Sequence, residues 1–369
     1  MISVFGSKAG KEEIEQVSES INNQWMGMGP KVKEFEEKFS KRLGLRNFLM
    51  VDSGSNGLYL AVKLLDLPMG SEIIVPSFTW VSCAQAVILA GHKPVFCDVD
   101  INSYNITEKT VANSITDKTK AIMVVHYAGL PVEMDSIKQF GLPIIEDAAH
   151  AVDSYYKGKA CGSIGDVGVY SFDAIKNLAV GEGGGVTAQK SELIERARVL
   201  RYCGIGKSGF ETSTQGKKRW WEYDIKEVFI KMNPSDILAG IGLAQLEKLD
   251  ALQAYRKKIW DIYQNAFKDC DWIKTPCEAN DGDKHSYFTY CIRIRKKRDE
   301  LAKYLFEKGI YTTVRYHPLH MNKIYHSNVK LPNCEILNEE ALNIPLHPNL
   351  SESDVEKIVD EIKSFKKYL

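Results

Sequence analysis

The chain has 369 residues, 44% hydrophobic and 26% charged, a balance that fits a globular protein of roughly two domains. Lys plus Arg and Asp plus Glu are 48 each, so the formal net charge is zero and no global basic field points to nucleic acid or an anionic membrane. No apolar run approaches the ~20 residues that span a bilayer. The opening MISVFGSKAGKEEIEQ turns polar too early for a signal peptide, and the eight cysteines form no CxxC pair, so the expectation is a cytoplasmic protein with free thiols and no metal site.

In chain order, the first clear helix is KVKEFEEKFSKRLG, with Val32, Phe35, Phe39 and Leu43 on one face and Gly44 as its stop. Seven strand candidates follow: FLMV, EIIV, PVFCDV, AIMVV, PIIE, VGVYSF and GGVTA. Most are continuously apolar, as strands buried on both faces are. Helical patterns such as GLYLAVKLL and SELIERARVLRYCG lie between several of them, which predicts an α/β domain with a mostly parallel seven-stranded sheet sandwiched by helices. From Asp236 one long helical stretch runs to Phe267 without a strand signal. Beyond it come a strand (YFTYCIRI), a helix (RDELAKYLFEKG) and a last helix opening at Ser351. There SESD reads as a capping box, and Val355, Ile358, Ile362 and Phe365 form the apolar stripe. The division expected is a large domain over 1–240 and a smaller C-terminal α+β domain over 241–369, joined through the long helix.

In open α/β sheets ligands bind beyond the carboxyl ends of the strands, so the residues that follow each strand are the candidates. SGSNG, with Gly54, Ser55 and Asn56, stands at the head of a helix, where backbone N–H groups and the helix dipole suit an anion; an ordinary tight turn explains it equally. Ser171 at a strand end is a second possible donor. Asp147 follows the apolar run LPII, where a carboxylate is costly unless a cation meets it. It is either a structural partner, such as a cap for a helix AAHAV, or the partner of a ring nitrogen that stays protonated. His150, three residues on, would share its helical face. Trp80 is a core residue or a plate for a flat ring. Lys176 stands before the glycines of GEGGG, not after them, so the phosphate-binding loop pattern fails; G-x-G-x-x-G is missing from the first strand–helix turn. A lysine, a carboxylate and an anion cradle are together what pyridoxal 5'-phosphate (PLP) requires, the lysine forming a Schiff base with its aldehyde.

With these stretches, and with WMGMGPKVKEFEEKF, ILAGIGLAQLEKL and NIPLHPNLSESDVEKIV, the chain resembles the PLP-dependent nucleotide-sugar aminotransferases of the DegT/StrS family. These have the aspartate aminotransferase fold, fold type I. The resemblance implies that Lys176 carries the cofactor, Asp147 pairs with its ring nitrogen, His150 approaches its ring hydroxyl and Trp80 stacks on its face. Gly54, Ser55, Asn56 and Ser171 would hold the phosphate. A polar residue of the neighbouring subunit completes that site in the family. Lys231 and Asn233, in FIKMNPSD, are both candidates, because Phe229, Ile230 and Pro234 depart from the usual motif. Tyr316, His317 and His320, in VRYHPLH, match a sugar-lining region. Lys217, Lys218 and Arg219, before Trp220 and Trp221, form either a solvated loop or a clamp on a nucleotide diphosphate, with Arg219 as the phosphate contact. The activity implied is transfer of an amino group, with glutamate as donor, to a nucleotide-linked keto-deoxysugar. C-4 is favoured over C-3, pyridoxamine phosphate is the intermediate form of the cofactor, and the protein is a homodimer with composite sites. A dehydratase and a PLP-binding regulatory protein are the alternatives.

Overall fold

The seven predicted strands pair into one sheet in the computed structural model, which describes residues 1–206, 219 and 221–369. In chain order they are β1 (Leu49–Val51), β2 (Glu72–Pro76), β3 (Lys93–Cys97), β4 (Thr119–Val125), β5 (Ile144–Asp147), β8 (Val167–Ser171) and β9 (Gly184–Ala188). A two-stranded hairpin, β6 (Tyr155–Tyr156) and β7 (Lys159–Ala160), lies apart from the sheet. The sheet order is β1-β9-β8-β5-β4-β2-β3. Strands β8, β5, β4, β2 and β3 pair in parallel, and β9 runs antiparallel to both its neighbours. Ile73, Ile74, Val75, Ile122, Met123 and Val124 have no exposed surface, which is why their strands read as unbroken apolar runs. The carboxyl ends of β1, β5 and β8 therefore lie on one rim. There Gly184, the first residue of β9, stands opposite both Val51 and Ser171.

The helix Pro30–Leu43 buries Val32, Phe35, Phe39 and Leu43 and ends at Gly44, whose φ of 65° favours glycine. An earlier helix, Lys11–Asn22, has no counterpart in the sequence analysis. Its buried positions are Glu13 and Ser20, so it carries no apolar stripe. It docks on the long helix through polar bonds instead, Gln245 Nε2 donating to Glu13 Oε1 at 2.6 Å.

The long helix spans Asp236–Phe267, with Ser235 Oγ accepting from Leu238 N at 3.3 Å as its cap. Ala239, Leu243 and Leu249 pack with the main sheet. Ile259, Trp260, Tyr263 and Phe267 belong to a second apolar cluster. That cluster includes residues of β11 (Tyr290–Ile294) and β12 (Ala341–Ile344), which with β10 (Ile273–Lys274) form an antiparallel sheet. Two further helices, Arg298–Glu307 and Glu352–Ser364, cover it. At the latter, the expected capping box is present: Asp354 N donates to Ser351 Oγ at 3.1 Å and Ser351 N donates to Asp354 Oδ2 at 2.9 Å.

Candidate active site

A cavity of about 470 Å³ opens on the rim where β1, β5 and β8 end. Its wall includes Gly54, Ser55, Trp80, Asp147, His150, Ser171, Lys176 and Tyr316, residues spread over more than 260 positions of the chain. They arrive on several separate segments of the chain. Ser53 caps the helix Gly54–Leu64 by accepting from Asn56 N at 3.2 Å, so the first turn of that helix faces the cavity. Gly54 is pressed against Ser171: a Cβ there would lie 2.8 Å from Ser171 Cβ. Gly184 is equally confined, since a Cβ on it would come within 2.5 Å of Gly54 N. The run of glycines thus brings β9 against the Ser53–Gly54 turn, while Gly183 lines the cavity itself.

Asp147 ends β5 with 4% of its surface exposed. Oδ1 accepts from Ala149 N at 2.9 Å, and Oδ2 accepts from the Cys83 thiol at 3.1 Å. Strand alternation sends its neighbour Glu146 to the other side. There Glu146 accepts from Gly162 N at 2.7 Å and Ile164 N at 2.6 Å and pairs with His126 Nε2 at 2.9 Å, a buried structural anchor. The helix expected over AAHAV is absent; Ala149–His150 and 152–153 form turns. His150 reaches the cavity through that turn, not along a helix face. Its Nδ1 accepts from Ala128 N at 3.3 Å, which leaves the proton of the neutral ring on Nε2, facing Tyr316 Oη at 3.1 Å. The ring also stacks on Phe288 at 4.1 Å between centroids. Burial first, then the charges of Lys176 and Arg315, hold His150 well below the usual histidine range, so it is neutral at pH 7.

Lys176 places Nζ 4.7 Å from the centroid of the Phe288 ring. Burial and the neighbouring Arg315 push its ammonium down to about 8, against the opposing pull of Asp147 and Asp173. A lysine near 8 has an appreciable neutral fraction at physiological pH and can attack a carbonyl. Trp80 is 54% exposed, with its ring 5.7 Å from that of Tyr316, so its indole is offered to the cavity and not spent on the core.

Not every candidate converges. Asn56 turns its side chain away from the cavity wall, donating to both oxygens of Asp52 at 2.9 and 3.0 Å. His317 is exposed and bonded through Nδ1 to Asn338 Oδ1 at 2.9 Å. His320 is buried under the rim, its Nδ1 2.7 Å from Ser77 Oγ, while Ser77 O accepts from Leu319 N at 2.8 Å. Neither histidine lines the cavity, because the chain turns Tyr316 inward and ties the following residues to the end of β2. Arg219 is exposed and pairs with Glu222 at 3.1 Å. Lys217, Lys218 and Trp220 lie outside the described residues. Lys231 is exposed, and Asn233 buries an Oδ1 that has no hydrogen-bond partner among the described residues. Among the residues in or behind the cavity wall that escaped sequence reasoning are Phe5, Cys83, Phe288 and Arg315. Arg315 had a signal, its place beside Tyr316 in VRYHPLH.

Residues 7–363 match the DegT/DnrJ/EryC1/StrS aminotransferase family. The chain belongs to this family. It is 37% identical over 371 residues to dTDP-4-dehydro-2,3,6-trideoxy-D-glucose 4-aminotransferase of Saccharopolyspora spinosa, covering 98% of this chain and 96% of that protein. The solved structure of the aminotransferase TlmJ from Streptoalloteichus hindustanus superposes with a TM-score of 0.94 at 36% identity, covering 100% of this chain and 99% of that one. The PMP form of the sugar aminotransferase Spr1654 from Streptococcus pneumoniae does so at 0.93 and 27% identity, with full coverage of both chains. The protein is a PLP-dependent sugar aminotransferase of fold type I. Its residues fit that cofactor: a cavity, a lysine of depressed basicity, a buried carboxylate, and a helix N-terminus whose Gly54 packs directly against Ser171, so that both line the same wall.

Proposed function

We propose that this aminotransferase moves the amino group of glutamate to C-4 of a nucleotide-linked keto-deoxysugar, in the cytoplasm, as a homodimer with composite sites. The observation that carries the proposal is Lys176, held near a pKa of about 8 in one cavity with Asp147, His150 and Trp80. Preference for C-4 is supported by the 37% identical relative, whose name specifies a 4-aminotransferase. PLP, when bound, supplies the electron sink. Lys176 would hold the cofactor, and its amine is the group that would move the proton. Asp147 keeps the ring nitrogen protonated. His150 would offer Nε2–H to the ring hydroxyl, and Trp80 would cover the ring. Gly54, Ser55 and Ser171 bind the phosphate.

The partner subunit is supported by an exposed apolar surface. Trp25, Met26, Tyr223, Ile225 and Ile230 are all more than half exposed, and Val228 is 93% exposed. Lys231 and Asn233 lie in the same stretch as Tyr223, Ile225, Val228 and Ile230, and either one is our candidate for the residue that reaches a neighbour's phosphate. Arg219 would clamp the diphosphate. The two-domain division at 240 and 241 is part of the same reading, the long helix serving both apolar clusters.

The test is a screen of dTDP-, UDP- and GDP-linked 4-keto and 3-keto sugars with glutamate, read by mass spectrometry and by release of 2-oxoglutarate. A 4-amino product supports the reading. Loss of water without gain of nitrogen would make the protein a dehydratase. No 2-oxoglutarate with any sugar would make it a binding protein.

A further inference from the structure

Two uncharged side chains, Thr79 and Cys83, support Asp147. Thr79 is 2% exposed and belongs to the cavity wall; Cys83 has no exposed surface and lies in the first turn of the helix Ser82–Leu89. Thr79 Oγ1 is 3.5 Å from Cys83 Sγ, which is in turn 3.1 Å from Asp147 Oδ2. A buried cysteine is by default a small apolar filler, but here its sulfur meets the carboxylate that ends β5. A thiol has one hydrogen and an ionised carboxylate only accepts, so that hydrogen is committed to Asp147. The Thr79 hydroxyl is therefore the donor of its pair, and Cys83 accepts from it. Among the described residues the Thr79 side chain makes no other hydrogen bond. The two contacts form a directed relay from Thr79 to Cys83 to Asp147, in which the first bond fixes the thiol orientation that the second needs.

What the relay does follows from the proton that Asp147 shares with a ring nitrogen. In a site shielded from water that proton has two resting places, the ring and the carboxylate. Hydrogen bonds donated to a carboxylate favour its charged form, and bonds to a charged acceptor are the stronger kind. Ala149 N supplies one such bond, to Oδ1, and Cys83 supplies another, to Oδ2. Each biases the shared proton towards the ring, where it strengthens the electron sink. Loss of the thiol hydrogen also frees one end of the carboxylate to swing, and a displaced carboxylate holds the ring proton less well. Both effects have the same sign.

We infer that Thr79 and Cys83 are positioning residues for the reaction: donating hydrogen bonds in series, they hold Asp147 as an oriented carboxylate, so that the proton it shares with the cofactor stays on the ring nitrogen. The inference rests on the placement of that nitrogen at Asp147 proposed above.

The experiment uses the full-length enzyme loaded with PLP that carries nitrogen-15 in its ring. The nitrogen resonance at neutral pH reports whether the ring holds the proton, which a loss of stability alone does not move. Single-turnover absorbance with glutamate reports the rate. Cys83→Ala is expected to move the resonance from the wild-type position towards that of Asp147→Asn. It is also expected to slow the glutamate half-reaction by about tenfold, the order of one hydrogen bond to a charged group, and to change the half-saturating glutamate concentration by less than about twofold. Thr79→Val, close in shape, is expected to act in the same direction with smaller effect and stands in if Cys83→Ala does not fold. Cys83→Ser keeps a donor and is expected to recover much of both losses. A wild-type resonance in Cys83→Ala, or in Thr79→Val where it stands in, overturns the inference, as does a serine variant no better than alanine. A shift in Cys83→Ala with none in Thr79→Val removes Thr79 from the relay. If Asp147→Asn itself keeps the wild-type resonance, the placement of the ring nitrogen at Asp147 fails, and this inference with it. A failure of the inference alone leaves the Asp147→Asn shift in place.

Discussion

The Cys83 thiol donates to Asp147 Oδ2 across 3.1 Å, beneath the floor of the cavity, while Ala149 N donates to Oδ1 at 2.9 Å. The carboxylate is therefore gripped on both oxygens at the end of its strand. Cys83 has no exposed surface, and burial together with the Asp147 charge pushes the thiol well above its usual range. It is therefore protonated, and a donor, at neutral pH.

Removing that donor leaves a buried acceptor short of a partner. Cys83→Ala is expected to lower stability by about 1–3 kcal/mol, the cost of an unsatisfied buried polar group. Cys83→Ser keeps a donor and should recover part of the loss. Urea denaturation of the three proteins checks this; an alanine variant with the wild-type midpoint would show that the bond bears no weight.

Lys176→Ala is expected to fold, to lose the visible absorbance of bound PLP and to stop transamination. A variant that keeps both a borohydride-reducible chromophore and full turnover removes Lys176 from its role.

The depressed basicity of Lys176 also has a stability consequence in protein stripped of PLP. Its folded value of about 8 lies below the ordinary 10.5. Between these pH values the unfolded chain holds a proton that the folded chain lacks, so stability rises with pH across this window, and the burial penalty is full below about 8. Lys176→Met has no such penalty. Its stability advantage over wild type should be largest at pH 7 and shrink towards pH 10 in urea denaturation; a pH-independent gap would contradict the burial of a titrating ammonium.

Asp147→Asn keeps the shape and removes the charge. We expect a rate loss of at least about 10²-fold, the order seen when a single electrostatic group is deleted from an active site. Near-normal steady-state turnover would assign Asp147 to structure alone.

Composite sites predict complementation. Lys176→Ala and a Lys231→Ala/Asn233→Ala double variant are each expected to be inactive. Mixed and re-associated, they form hybrid dimers with one site complete and the other doubly defective, and activity should partly return. Hybrids that form but stay inactive, or an active monomer in sedimentation, would place the whole phosphate site within one chain.

Most of the fold was legible because its signals are local. All seven main-sheet strands were picked out, most of them as apolar runs, and the long helix and the Ser351 capping box announce themselves by periodicity and cap chemistry. The helix Lys11–Asn22 was not legible because it buries polar residues against polar partners. The turn after Asp147 read as a helix because AAHAV has helical composition. Its actual path is set by contacts with residues far away in the chain, such as Ser286 Oγ, which donates to His150 O at 2.7 Å.

The sequence by itself determined which residues could do the chemistry: a lysine before glycines, a carboxylate after a buried strand and a small-residue turn opening a helix are local patterns that the fold carries to one rim. Only the tertiary structure decided which neighbours tune them. Cys83 under Asp147, Phe288 beneath His150 and Lys176, Phe5 over Arg315, and the withdrawal of His320 onto Ser77 join residues from Phe5 to His320. The physical reason is that a reactive group is recognised by its own chemistry, whereas its pKa and its free hydrogen-bonding edge depend on what is packed within a few ångströms, and that packing is long-range in sequence.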